Sequence, residues 1–149
     1  MAGWLDLKRL VIIGGTTGMG LAAAKACAAE GARLVICGKE GDESEVSRQL
    51  AGTGHQVVNA DAIHPETGEE LISRCVYTWG GFDGLIHIAG GSGRRYGDGP
   101  LHLLTDEGWQ KTLELNLSSV MYSNRAAIRQ FLKQGTEGSI VNMGSVLGF

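Results

Sequence analysis

The sequence predicts an α/β fold: a Rossmann-like, doubly wound parallel sheet with strands in the order 3-2-1-4-5. Three observations carry that prediction. Short, unbroken apolar runs alternate with helical patterns from end to end, as expected for strands buried on both faces between crossover helices. The first run, Leu10-Val11-Ile12-Ile13, passes directly into Gly14-Gly15-Thr16-Thr17-Gly18-Met19-Gly20 and then into an alanine-rich helix. Right-handed crossovers then favour the doubly wound order.

Leu10 to Ile13 ends in glycine, as a buried strand entering a tight turn should. Met19 to Glu30 is uninterrupted and helical, and Gly31 supplies its C-terminal stop. Arg33 to Cys37 is the second strand. A polar helix from Asp42 to Leu50 follows, with Asp42 placed to cap it. Gln56 to Asn59 makes a weaker third strand. Pro65 suits the first turn of a helix reaching Trp79, with Leu71, Ile72, Cys75 and Val76 at helical spacing. Gly84 to Ile88 is the fourth strand, and the glycine-rich stretch from Gly90 to Pro100 is a loop. Thr105 caps a helix whose first turn carries Asp106 and Glu107, favourable against the helix dipole. A second helix is expected from about Leu117 to Lys133, with Val120, Ala127, Ile128 and Phe131 on its core face. Ser139 to Met143 is the fifth strand.

The 149 residues read as one domain, 1–149, with no internal boundary or repeat. Hydrophobic content of 43% and charged content of 19% are ordinary for a globular chain, whereas 24 glycines are many. They gather at strand ends, where tight turns and ligand approach need them. A net charge of −3, with Arg94-Arg95 as the only adjacent arginines, argues against nucleic acid as a partner. No apolar run approaches the roughly 20 residues that span a bilayer, and no signal peptide is evident. Cys27, Cys37 and Cys75 are odd in number and widely spaced, which suggests reduced thiols in a cytoplasmic protein and no metal site.

Gly14, Gly18 and Gly20 have the chemistry of a phosphate turn. The first allows the tight turn, the second lets backbone N–H groups approach a pyrophosphate, and the third lets helix and strand pack closely. A purely structural turn is the alternative. No Gly-Lys-Ser/Thr follows, against a nucleotide triphosphatase. At the end of the second strand, Gly38 stands where an acidic residue would bind a ribose 2′-OH, and Lys39 follows. A lysine can pair with a 2′-phosphate, so NADP is the preferred cofactor; Glu40 keeps NAD possible.

With these residues in place, the chain resembles the short-chain dehydrogenase/reductase family. The T-G-x-x-x-G-x-G pattern matches at Gly14, Gly18 and Gly20, with Ile13 replacing the threonine. The resemblance implies cofactor contacts from Gly14, Thr16, Thr17, Gly18, Met19 and Gly20, and from Asp61 with Ala62, the aspartate touching adenine. His87-Ile88-Ala89-Gly90 is similar to the family's N-N-A-G segment, which places Ala89 and Gly90 at the cofactor. Asn116 matches the asparagine that holds a catalytic water, and Ser145, after the fifth strand, matches the catalytic serine. His87 itself reads as a satisfied core histidine, and Arg94 and Arg95 as solvent-exposed.

The resemblance implies hydride transfer between a nicotinamide and a carbonyl or alcohol substrate, by a homo-oligomer (dimer or tetramer). In the family, the acid is a tyrosine of a Y-x-x-x-K motif. Tyr77, Tyr96 and Tyr122 lack a lysine four positions on, and after Ser145 come only Val146, Leu147, Gly148 and Phe149. General acid catalysis typically supplies about 10²–10⁴-fold, so this chain alone is expected to be nearly inactive. Two other readings compete: a dinucleotide-binding module without turnover, and an S-adenosylmethionine-dependent methyltransferase. The wide-spaced turn and the missing acid after the second strand count against the methyltransferase.

Overall fold

The computed structural model describes residues 3–146; Leu147, Gly148 and Phe149, which close the expected serine loop, lie outside the described residues. The strands are β1 (Arg9–Ile13), β2 (Arg33–Gly38), β3 (Gln56–Asn59), β4 (Gly84–His87) and β5 (Ser139–Asn142). All pair in parallel, in the order β3-β2-β1-β4-β5 that the sequence predicts. The helices are α1 (Gly18–Ala29), α2 (Glu43–Arg48), α3 (Thr67–Trp79), α4 (Asp106–Leu113) and α5 (Ser119–Gln134).

Alternation along β1 explains the two core layers. Val11 and Ile13 join Leu71, Ile72 and Cys75 of α3 and Ala127 of α5 on one face. Leu10 and Ile12 join Ala24 and Ala28 of α1 on the other. Successive strand side chains point to opposite faces, so a run apolar at every position can satisfy both layers. Phe82 is fully buried beside Phe131, their rings stacked 4.9 Å apart.

The expected caps form. Asp42 accepts from the Glu45 N–H at 2.8 Å, and Thr105 accepts from the Gly108 N–H at 2.9 Å. Pro65, in contrast, lies before its helix. Asp61 accepts from the Ile63 N–H and from the Thr67 hydroxyl, through its side chain and its carbonyl respectively. The Thr67 N–H bonds to the His64 carbonyl. These bonds close a turn over residues 61–66, and the helix begins only at Thr67.

The two helices expected after Thr105 are joined by a π-helical segment, Glu114–Ser118. Nothing between Trp109 and Gln134 is glycine or proline, so no breaker ends the first helix. Ile128 is a further correction: it is half exposed, while Ala127 is buried. It shares a stripe with Leu117, Met121 and Leu132, all exposed, one face away from the core.

Arg9 clamps the starts of β1 and β4. Its Nε and Nη2 donate to the two carboxylate oxygens of Asp83 at 2.7 and 2.8 Å, and its backbone N–H donates to Oδ2 at 2.8 Å. The Arg9 hydrogen bonds hold the Asp83 carboxyl below the usual carboxylate range. Its contribution to stability is therefore fully present above about pH 4 and lost as pH falls through the depressed folded value. D83N should cost about 2 kcal/mol at neutral pH, read by urea unfolding, since the half-buried guanidinium keeps no counter-charge. A cost below about 0.5 kcal/mol would show the clamp to be as weak as a surface pair.

Candidate cofactor and active site

The C-terminal ends of β1, β2 and β4 are tied into one rim by backbone bonds. Gly14 and Gly15 N–H groups donate to the Cys37 carbonyl at 2.9 and 2.8 Å, and Ile88 and Ala89 donate to the Ile13 carbonyl at 2.8 and 3.0 Å. The Ala60 N–H donates to the Gly38 carbonyl at 3.1 Å. Strand ends of a doubly wound sheet are where its ligands bind. Here they enclose a cavity of about 370 Å³, within the size range of small-molecule sites.

Every residue proposed for the nucleotide lines that cavity. Gly14, Thr16, Thr17, Gly18, Met19 and Gly20 form one wall, Lys39, Asp61 and Ala62 a second, and Ala89 and Gly90 a third. Cys37, Ala60, Ile88 and Leu115 also line it and escaped the sequence reading. Their signal was available only as position, since each adjoins a strand end or the Asn116 segment. Thr17 is the N-cap of α1 but makes no side-chain capping bond, and the first turn of α1 holds no acidic residue. Its N-terminal N–H groups thus face the cavity without an anionic side chain of their own, which suits an incoming phosphate.

Gly38 shows why no acid stands at the end of β2. A Cβ there would overlap the hydroxyl of Thr16, which is itself buried. The charged groups come instead from Lys39, Glu40 and Asp61. Lys39 Nζ lies 2.8 Å from Asp61 Oδ2. Burial pushes the Asp61 carboxyl up, but the Lys39 ion pair and the Ile63 N–H outweigh it and hold it below the usual range. The same carboxylate raises Lys39.

The two proposed catalytic residues do not line this cavity. Asn116 lies in the π-helical segment with its amide fully engaged. Its Oδ1 accepts from the Gly91 N–H at 2.9 Å, and its Nδ2 donates to the Gly91 carbonyl at 2.8 Å and the Thr112 carbonyl at 3.0 Å. The side chain thus fixes the loop after β4, beside the rim. Ser145 lies beyond the end of β5, exposed, on the same strand-end edge of the sheet. Arg94 and Arg95 are exposed in a short 3₁₀ turn, Gly93–Tyr96.

His87 is buried with its hydrogen bonds satisfied, as the sequence suggests. Nε2 lies 3.1 Å from the Ala89 carbonyl, and Nδ1 lies 2.8 Å from Ser123 Oγ. A carbonyl only accepts, which assigns a proton to Nε2, and the Ser123 hydroxyl beside Nδ1 donates to the Val120 carbonyl at 3.0 Å. Burial pushes Cys37 up to about 11 and Cys75 up to about 12, so both thiols stay protonated. Among the described residues no cluster of His, Cys, Asp and Glu could hold a metal, and no helix is long and apolar enough to cross a membrane.

A glycine turn between β1 and α1, at the switch point of a doubly wound sheet, is the arrangement of the dinucleotide-binding α/β folds. Comparison with known proteins is specific beyond that. A family model described as Enoyl-(Acyl carrier protein) reductase matches residues 14–149. L-rhamnose 1-dehydrogenase (NAD(P)(+)) of Azotobacter vinelandii is 32% identical, over 93% of this chain and 56% of its own length. The crystal structure of a short chain dehydrogenase from Mycobacterium smegmatis superimposes with a TM-score of 0.88 at 35% identity, covering 99% of this chain and 62% of that one. NADH-dependent reductase A1-R' complexed with NAD gives 0.83 at 28% identity, covering 98% and 63%. The chain belongs to the short-chain dehydrogenase/reductase family, and spans between half and two thirds of the length of these relatives.

Proposed function

We propose that the protein is an NAD(P)-dependent oxidoreductase that prefers NADP and acts on a small carbonyl or alcohol substrate. The observation that carries this reading is that the glycine turn, Lys39, Asp61 and the Ala89–Gly90 loop line one and the same cavity. The α1 N-terminus and the turn's backbone N–H groups bind the pyrophosphate, Asp61 with Ala62 receives the adenine, and Lys39 pairs with a 2′-phosphate. The bound nicotinamide supplies or takes the hydride. Asn116 fixes the Gly91 backbone and so orients the loop at the cofactor rim. Ser145 hydrogen-bonds the substrate oxygen. The domain is one unit over 1–149, and none of Tyr77, Tyr96 and Tyr122 matches the family's protonating tyrosine.

The three free cysteines, with no disulfide among them, fit a cytoplasmic enzyme. The exposed stripe of Leu117, Met121, Ile128 and Leu132 supports a homo-oligomer, because an apolar helix face of this kind is commonly covered by a partner. Titration of the chain with NADPH, NADH and S-adenosylmethionine, followed by nucleotide fluorescence or calorimetry, tests the reading. The expected order is NADPH tighter than NADH by several-fold, with no binding of S-adenosylmethionine. Binding of S-adenosylmethionine alone would overturn it.

A further inference from the structure

The cavity holds one cation among its described lining residues, Lys39, against two anions, Glu40 and Asp61. That cation is already engaged. Its Nζ lies 2.8 Å from Asp61 Oδ2, and the pair spans from the end of β2 to the end of β3. The partners are unequal. The Lys39 side chain is 64% exposed and the Asp61 side chain only 16%. Asp61 is further held at its carboxylate by the Ile63 N–H and at its carbonyl by the Thr67 hydroxyl. Asp61 is therefore the fixed post and Lys39 the movable arm.

We propose that Asp61 restrains cofactor choice by competing with a 2′-phosphate for Lys39, so that the chain accepts both dinucleotides with only a modest NADP preference. The inference rests on the dinucleotide reading and adds a second role for Asp61. A dinucleotide with a free 2′-hydroxyl leaves the Lys39–Asp61 pair intact. One with a 2′-phosphate gains Lys39 only by drawing it from a carboxylate that is mostly buried and would be left beside a dianion. Both events raise the electrostatic cost of the phosphate, and an exposed lysine recovers only part of it.

The test is a two-residue cycle read as the ratio of NADPH to NADH affinity, in the full chain. D61N keeps the shape and the acceptor toward Ile63 but removes the charge. It should raise the ratio about 5-fold, a coupling of about 1 kcal/mol. K39M should lower the ratio about 10-fold. In the K39M background only the carboxylate–dianion repulsion remains, so D61N should raise the ratio by less than about 2-fold. An unchanged or lowered ratio in D61N, or a rise of the same size without Lys39, overturns the proposal. Should D61N fold poorly, D61S, which also removes the charge and keeps a hydroxyl acceptor toward the Ile63 N–H, is read in the same way. Failure of the unaltered protein to bind either nucleotide is a different result and overturns the dinucleotide reading itself.

Discussion

Replacing Gly20 with alanine is expected to reduce dinucleotide affinity at least ~100-fold, equivalent to about 3 kcal/mol, and to lower the unfolding midpoint. A Cβ at this position would overlap the Gly14 carbonyl oxygen and lie 2.7 Å from its carbon and 3.0 Å from Gly15 Cα. All three are backbone atoms, and they cannot step aside. The N–H groups of Gly14 and Gly15 are both bonded to the Cys37 carbonyl, so moving the turn breaks its tie to β2. The other escape is to lift α1 from the sheet, which opens the contact of Ala24 and Ala28 with Leu10 and Ile12. Either route displaces the helix N-terminus that faces the cavity. Gly18 is the control. Its φ of +51° makes alanine strained by roughly 1–2 kcal/mol, but nothing lies within 4 Å of the added methyl. G18A should therefore keep a folded α1 and lose less affinity than G20A. NADPH titration with thermal unfolding of both variants checks this, and G20A affinity within about 3-fold of the parent would show that the turn is not closed as described.

The same comparison explains what the sequence makes legible. The sheet order and the strand positions were readable because unbroken apolar runs, glycine stops and right-handed crossovers are local or topological rules. The residues that line the cavity were readable because the glycine spacing fixes a tight turn between strand and helix, and the remaining wall follows from strand order. What was hidden depends on neighbours distant in sequence. Pro65 falls outside its helix because Asp61 and Thr67 close a turn around it. Ile128 has the hydropathy of a core residue, and only its angle relative to Ala127 turns it outward. The Lys39–Asp61 pair joins residues 22 positions apart. Each was individually a candidate cofactor residue, yet their engagement with one another follows from β2 and β3 ending side by side.

His87 gives the second large effect, because it couples the floor of the site to helix α5. The imidazole is 1% exposed and donates from Nε2 to the Ala89 carbonyl, with Ser119 Oγ 3.3 Å away sharing the same N–H. Ser119 in turn donates to the Leu115 carbonyl at 2.7 Å, one residue before Asn116, so a single buried network supports both sides of the loop at the cofactor rim. H87L fills most of the volume but removes the donor and leaves the Ala89 carbonyl without this partner. It should cost about 3 kcal/mol of stability and weaken dinucleotide binding several-fold. The pH dependence separates this network from simple packing. Burial lowers the His87 value below the ordinary 6.5, against a smaller opposing effect of the Ala89 carbonyl. The unfolded chain therefore binds the proton more readily than the folded one. Stability from the neutral imidazole is full above about pH 6.5 and falls as pH drops from there through the depressed folded value. Urea unfolding across pH 5 to 8 should show this slope in the parent protein and a flatter line in H87L. Equal slopes in the two proteins would place the pH dependence elsewhere and reduce His87 to a space-filling residue.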